Sequence, residues 1–259
     1  MNPDEVAEVK AELEGFVEDV FASLPRSDQR SKGSLYLRGL MLDGRRKSMQ
    51  PMGERLGVDY QQLQQFVSAS PWKVEPVRRR MAGLAVETIQ PEAWVIDDTG
   101  FKKDGTSSPC VSRQYSGTLG KIGNCQIGVS VHAATDAASC PLDWRLFVPE
   151  AWDDTCAESN DGSLPEEWLL AEWPTGEKEP TDYWISDLPE ATPIATLVRI
   201  AKMRWRIEHD YRELKTGLGL AHFEGRTFNG WHRHATLVTA AHLFLTRLRL
   251  THPKAAGAA

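Results

Sequence analysis

RWRIEHDYRELK, residues 204–215, decides how this chain is read. At about 100° per residue, Ile200, Met203, Tyr211, Leu214 and Leu218 all fall within about 40° of Ile207, so residues 196–218 are expected to form a helix with one buried face. On the same wheel Arg204, Glu208 and Lys215 fall at about 60°, 100° and 80°, a polar stripe bordering the apolar one. Two readings of that stripe stand side by side. It is an ordinary ion-pair ladder on a helix surface, or it is a carboxylate held between two cations for chemistry. What lies upstream bears on the choice.

Residues 93–97, AWVID, are a short apolar strand that runs into the pair Asp97 and Asp98. Further strands are expected over 111–115, 125–133, 144–148, 168–173 and 183–186. The second of these alternates Cys125, Ile127, Val129 and Val131 against Gln126, Gly128, Ser130 and His132. SGTLGKIGN, residues 116–124, has the glycines and length of a hairpin loop. From Thr192 the chain reads as helical to Leu250.

The N-terminal third has another texture. Val6, Val9, Leu13, Phe16, Val17 and Val20 give residues 4–24 a helical period, and a second helix is expected over 34–42. In residues 48–70, SMQPMGERLGVDYQQLQQFVSAS, a short helix stops at Gly57 and Asp59 caps the next. Helix, glycine turn and helix is the shape of a helix-turn-helix, and equally of a small packed bundle. Arg45, Arg46 and Lys47 just before it favour nucleic acid. The second helix offers only Gln61, Gln62, Gln64 and Gln65, which read adenine or simply face water.

Of the 259 residues 41% are hydrophobic and 25% charged, which fits a folded globular chain. No apolar run reaches the roughly 20 residues of a membrane span. An acidic amphipathic start is unlike a signal or transit peptide, and Cys110, Cys125, Cys140 and Cys156 form no C-x-x-C pair. A cytoplasmic setting is the expectation. The formal charge of −6 argues against a nucleic-acid partner only when taken whole. Residues 26–56 carry eight bases against three acids and residues 191–259 eleven against four, while residues 149–190 carry one against thirteen. Two basic blocks are hidden by an acidic middle.

The Arg204-x3-Glu208-x6-Lys215 spacing resembles the Y-x2-R-x3-E-x6-K signature of a large group of DDE transposases from bacterial insertion sequences. WVIDDTGFKKDG resembles that family's first-carboxylate segment. QYSGTLGKIGNCQIGVSV and GLGLAHFEGRTFNGWHRH resemble further stretches of it. The resemblance implies an α/β fold: a ribonuclease-H-like mixed sheet flanked by helices, preceded by an all-α N-terminal domain. It places a helical DNA-binding domain at 1–90, the first part of the core at 91–153, an acidic junction at 154–182 and the second part of the core at 183–250.

By the same resemblance Asp97, Asp98 and Glu208 are the catalytic carboxylates, with Asp97 and Glu208 holding Mg²⁺ in a two-metal site. Arg204 and Lys215, with Arg45, Arg46 and Lys47, are the implied DNA contacts. Implied partners are the element's terminal inverted repeats and target DNA, on which a homodimer would act. There are two departures. The signature's tyrosine is Ala201 here, and nothing in residues 153–182 resembles the strand that carries the family's middle aspartate. The chain is therefore read as an internally deleted transposase, short of one ligand. Asp143, Asp153, Asp154 and Asp187 are the candidate substitutes, and the rival reading is an inactive DNA-binding protein that competes for the element's ends.

Three further features weigh less. His232 and His234 in GWHRH suit structural roles better than a helical metal site. His242, within an apolar run, is expected to be a satisfied core residue. Trp205, on the solvent side of the wheel, is the tryptophan best placed to stack on an unpaired base.

Overall fold

The computed structural model describes residues 2–152 and 167–252. Five helices come first: α1 (Pro3–Val20), α2 (Ser27–Met41), α3 (Met49–Leu56), α4 (Tyr60–Ser68) and α5 (Val74–Ile89). Asn2 and Glu5 form a reciprocal capping box on α1. The glycine turn forms as its residues dictate. Gly57 ends α3 in the left-handed region at φ 67°, and the Asp59 carboxylate accepts the Gln61 amide to open α4. Leu63, Phe66 and Val67 of α4 turn inward, while Gln61, Gln64 and Gln65 stay exposed.

Four strands follow: β1 (Ala93–Lys102), β2 (Ser112–Ser116), β3 (Lys121–Ala134) and β4 (Ser139–Leu146). β2 and β3 form the expected hairpin. β3 is the spine of the sheet, with β1 along one side and β4 along the other. Every pairing is antiparallel, which corrects the expected mixed sheet: among the described residues no parallel strand joins β1. β1 also runs five residues past Asp97, so Asp97 and Asp98 sit in mid-strand, and that strand lies at an edge rather than in the centre. A separate hairpin pairs β5 (Trp168–Glu172) with β6 (Asp182–Ser186).

The C-terminal part is less continuous than its periodicity predicts. α6 (Ile194–Lys202) stops at Met203, and α7 (Arg204–Arg212) restarts there before loosening into a π-helical turn, Glu213–Gly217. A loop then leads to α8 (Phe228–Thr251), buried on all sides over most of its length. Despite the break, Met203, Ile207, Tyr211, Leu214 and Leu218 are all buried, as the wheel requires. α8 packs on α2, α4 and α5 and on β4, so one hydrophobic cluster runs from Phe16 of α1 to Phe244 of α8. No helix among the described residues is long and apolar enough to cross a membrane.

Candidate functional site

α7 lies alongside β1, and three contacts fix its course. At its first residue, Arg204 Nε stands 3.6 Å from Asp97 Oδ1. Farther on, the Tyr211 hydroxyl meets Ser130 Oγ at 2.7 Å, and Ser130 is the β3 residue opposite Asp97. Beyond the π-turn, Lys215 Nζ donates to the Gly100 carbonyl at 2.7 Å. The helix therefore passes Asp97 and travels toward Gly100, with Glu208 on the intervening turn. Glu208 is exposed and makes no ion pair or side-chain hydrogen bond among the described residues.

The two aspartates live in different surroundings because strand residues alternate faces. The Asp97 side chain is 12% exposed and faces α7, whereas Asp98 is exposed. Burial raises the Asp97 pKa above the ordinary carboxylate value, and the Arg204 guanidinium opposes that rise. Burial pushes Lys215 down to about 8, with Asp98 pulling the other way. Lys215 also lies 5.0 Å from the Phe101 ring centre. Its ammonium thus ties the helix to β1 rather than reaching outward.

The basic triplet before α3 divides in the same way. Arg45 is exposed, and Arg46 is exposed but paired to Glu224 at 2.7 Å. Lys47 is 4% exposed. Its ammonium donates to the Leu42 carbonyl and its amide to His222 Nδ1 at 3.0 Å, so it is part of the packing. The three cations do not form one solvent-facing patch.

Carboxylate oxygens suit a hard divalent cation. The arrangement does not assemble a two-ion centre from them. Among the described residues the one trio of acid or histidine ligand atoms within 4.8 Å of one another is Glu8, Glu12 and His252, remote in sequence from β1 and α7. Of the substitutes, Asp143 bonds Arg78 and lies 3.3 Å from Arg145 Nε, and Asp187 is exposed just past β6. Asp153 and Asp154 lie outside the described residues.

Sequence reasoning missed the charged network beneath this face. The Tyr211 hydroxyl donates to Ser130 Oγ, which donates at 2.9 Å to His132 Nε2, and His132 Nδ1–H donates to Asp210 Oδ2 at 3.2 Å. Burial keeps His132 neutral. On the other side of Asp210, His242 Nε2 stands 3.5 Å from Asp210 Oδ1 and 3.5 Å from Glu213 Oε2. Two carboxylates hold His242 charged well above the imidazole range although it is 1% exposed. They in turn are depressed, Glu213 to about 2 with Arg249 as its further partner. His242 lies in the core, as expected, and it sits there as the counter-ion of two carboxylates. His234 does fit a structural role: Tyr36 Oη lies 2.8 Å from its Nδ1 and the Gly219 carbonyl accepts from its Nε2 at 3.0 Å. Trp205 is 59% exposed, with the Arg206 guanidinium 5.0 Å from its ring.

An acidic pair on an antiparallel strand thus lies beside a helix carrying Arg204 and Glu208, with Lys215 on the turn that follows, in a mixed α/β protein. The family model of the DDE superfamily endonucleases matches residues 19–170, more than half the chain, and that of the transposase DDE domain matches residues 171–244. The chain belongs to the DDE superfamily endonucleases. It is similar to a probable transposase for insertion sequence element IS701 of Microchaete diplosiphon, 33% identical over 114 residues. That match covers 43% of this chain, and the chain spans 30% of the length of that relative.

Proposed function

We propose that this chain is an insertion-sequence transposase, acting on DNA at the element's ends, whose core has lost the segment bearing the middle aspartate. The observation that carries the reading is the path of α7, which brings Arg204 to Asp97 and Lys215 to Gly100 and so carries Glu208 past the acidic pair. The abutting family matches at residues 170 and 171 support a join within the acidic junction. In this reading Asp97, Asp98 and Glu208 are the remaining carboxylates. Arg204 neutralises Asp97, and Lys215 holds the helix in register. Arg45 and Arg46 offer charge to DNA phosphates beside α3. Family members supply Mg²⁺ to stabilise the attacking and leaving oxygens, and an incomplete ligand set leaves strand cleavage at trace level.

One observation favours the rival reading, a catalytically inactive protein that occupies the element's ends. The ion-pair partner of Asp97 is the Arg204 guanidinium, and among the described residues no trio of ligand atoms gathers around it. A nicking and end-joining assay on DNA bearing the ends separates the two. Trace cleavage abolished by Asp97→Ala and by Glu208→Ala supports a crippled enzyme. Binding to the ends with no cleavage by the unsubstituted chain supports the competitor. Robust cleavage would overturn the deletion reading, and Asp187→Ala would then test for a recruited ligand.

A further inference from the structure

A cavity of about 680 Å³ opens between the α4–α5 junction, β4 and the first turns of α8, and neither Asp97 nor Glu208 lines it. Lys73, Arg78, Arg145 and Arg233 border it against only two carboxylates, Glu75 and Asp143. His232 also borders it and adds no charge at neutral pH, because burial and Arg78 hold it down to about 4.

The cations are not equivalent. Arg78 is consumed by structure: Nε bonds Thr236 Oγ1, Nη1 bonds Asp143 and the Trp144 carbonyl, and Nη2 lies 3.2 Å from both His232 Nδ1 and its carbonyl. Arg233 is different. It is 8% exposed, and no carboxylate among the described residues pairs with it. Its Nε donates to the Trp72 carbonyl at 3.2 Å and its Nη1 to the Val67 carbonyl at 3.0 Å, while Nη2 has no protein partner among the described residues. Trp72 covers one face of the guanidinium at 5.5 Å. Capping the last carbonyls of α4 explains Nη1. It does not explain a buried, uncompensated charge, since a neutral donor would cap as well without the desolvation cost.

The cavity also receives the amino ends of two long helices. α5 begins at Val74 with no side chain capping its first amides, and α8 begins at Phe228. Both bring partial positive charge to the same space. On the rim, Lys73 is exposed and Arg145 is 75% exposed, its Nε 3.3 Å from Asp143 Oδ2.

We propose that this cavity binds a phosphate group, one of a nucleic-acid backbone, with Arg233 Nη2 as the fixed donor and Arg145 and Lys73 closing from the rim. β4 lies two strands from β1, about 10 Å across the sheet, so such a phosphate would anchor a strand beside the acidic pair without touching it. The anion site stands without the cleavage reading, and only the identity of the phosphate's carrier rests on DNA being the partner.

The test uses the full chain with two probes, inorganic phosphate followed by thermal melting and a labelled duplex followed by anisotropy. Phosphate is expected to raise the melting temperature of the wild type and of Asp97→Asn alike. Arg145→Ala, a change at an exposed side chain, is expected to weaken both probes about tenfold and to lower the salt slope of DNA binding by about one. Arg79→Ala, an exposed cation outside the cavity, is expected to leave the phosphate shift unchanged. Arg233→Gln should abolish the shift, with circular dichroism checking that the fold survives. A phosphate shift with DNA binding untouched by Arg145→Ala would overturn the backbone assignment in favour of a free phosphate. Absence of any phosphate shift in the wild type overturns the site, and loss of cleavage at Asp97 bears on neither result.

Discussion

The ammonium of Lys215 donates to the carbonyl of Gly100, three residues past Asp97 on the same strand. That bond, with a longer one to Thr118 Oγ1 at 3.4 Å, ties the far end of the Arg204–Lys215 segment to β1, and the Phe101 ring centre lies 5.0 Å from the ammonium. Lys215→Met is expected to keep the buried stem, lose the bond, and destabilise the fold by about 1–3 kcal/mol, measured by urea unfolding. Its effect on DNA binding should be smaller than that of Arg45→Ala, because its charge faces inward.

Gly100 leaves no room for a side chain. A Cβ there would stand 2.0 Å from Ser116 Oγ and 3.0 Å from Ser116 Cβ. Gly100→Ala should therefore force β1 and the end of β2 apart, costing about 1–3 kcal/mol by overpacking. Gly105→Ala, where nothing lies within 4 Å, is the control. Equal melting temperatures for the two variants would contradict the packing described.

The buried network sets a pH window for stability. His242 is raised above the ordinary value of 6.5, so its contribution is fully present below 6.5 and is lost as pH rises through its folded value. Glu213 is depressed from 4.5 to about 2, so its contribution is present above 4.5 and is lost as pH falls toward 2. Melting temperature against pH should show both limbs. His242→Leu should flatten the alkaline limb and cost about 3–5 kcal/mol, the usual penalty for stranding buried partners.

Burial sets Asp97 against the stability of the fold. Its folded pKa is raised, so the ionised form is disfavoured, and stability from this group falls as pH climbs from the unfolded toward the folded value. Asp97→Asn is expected to raise the melting temperature at pH 7, and Arg204→Ala to lower it. A lower melting temperature for Asp97→Asn would mean that the 3.6 Å contact with Arg204 outweighs desolvation.

Much of this was legible where the signal is local. Gly57 and Asp59 announce their turn because a left-handed stop and a carboxylate cap need only their neighbours. The apolar face from Met203 to Leu218 was legible because burial follows the helical period even across a break. The break at Met203 was not, because no proline or glycine marks it. Nor was the fate of Lys47, which in an Arg-Arg-Lys run looks solvated until Leu42 and His222 are brought to it. The His132–Asp210–His242–Glu213 network joins β3, α7, the π-turn and α8, and no spacing in the chain hints at that meeting. The extent of β1 past the aspartates was likewise hidden, since the apolar run that marks the strand stops at Ile96.

The open side of β1 gives its acids a second consequence. Trp94 and Ile96 stand 57% and 70% exposed on a strand whose outer hydrogen-bonding groups are unclaimed by any described strand. Two molecules meeting there antiparallel, about a two-fold axis at Asp98, would set the exposed Asp98 carboxylate of each against that of the other. That repulsion is a gatekeeper against edge-to-edge aggregation. Substituting both aspartates with alanine to silence cleavage would also remove the guard, so a catalytically dead control of this protein is expected to be a sticky one, visible as higher-order species in size-exclusion chromatography.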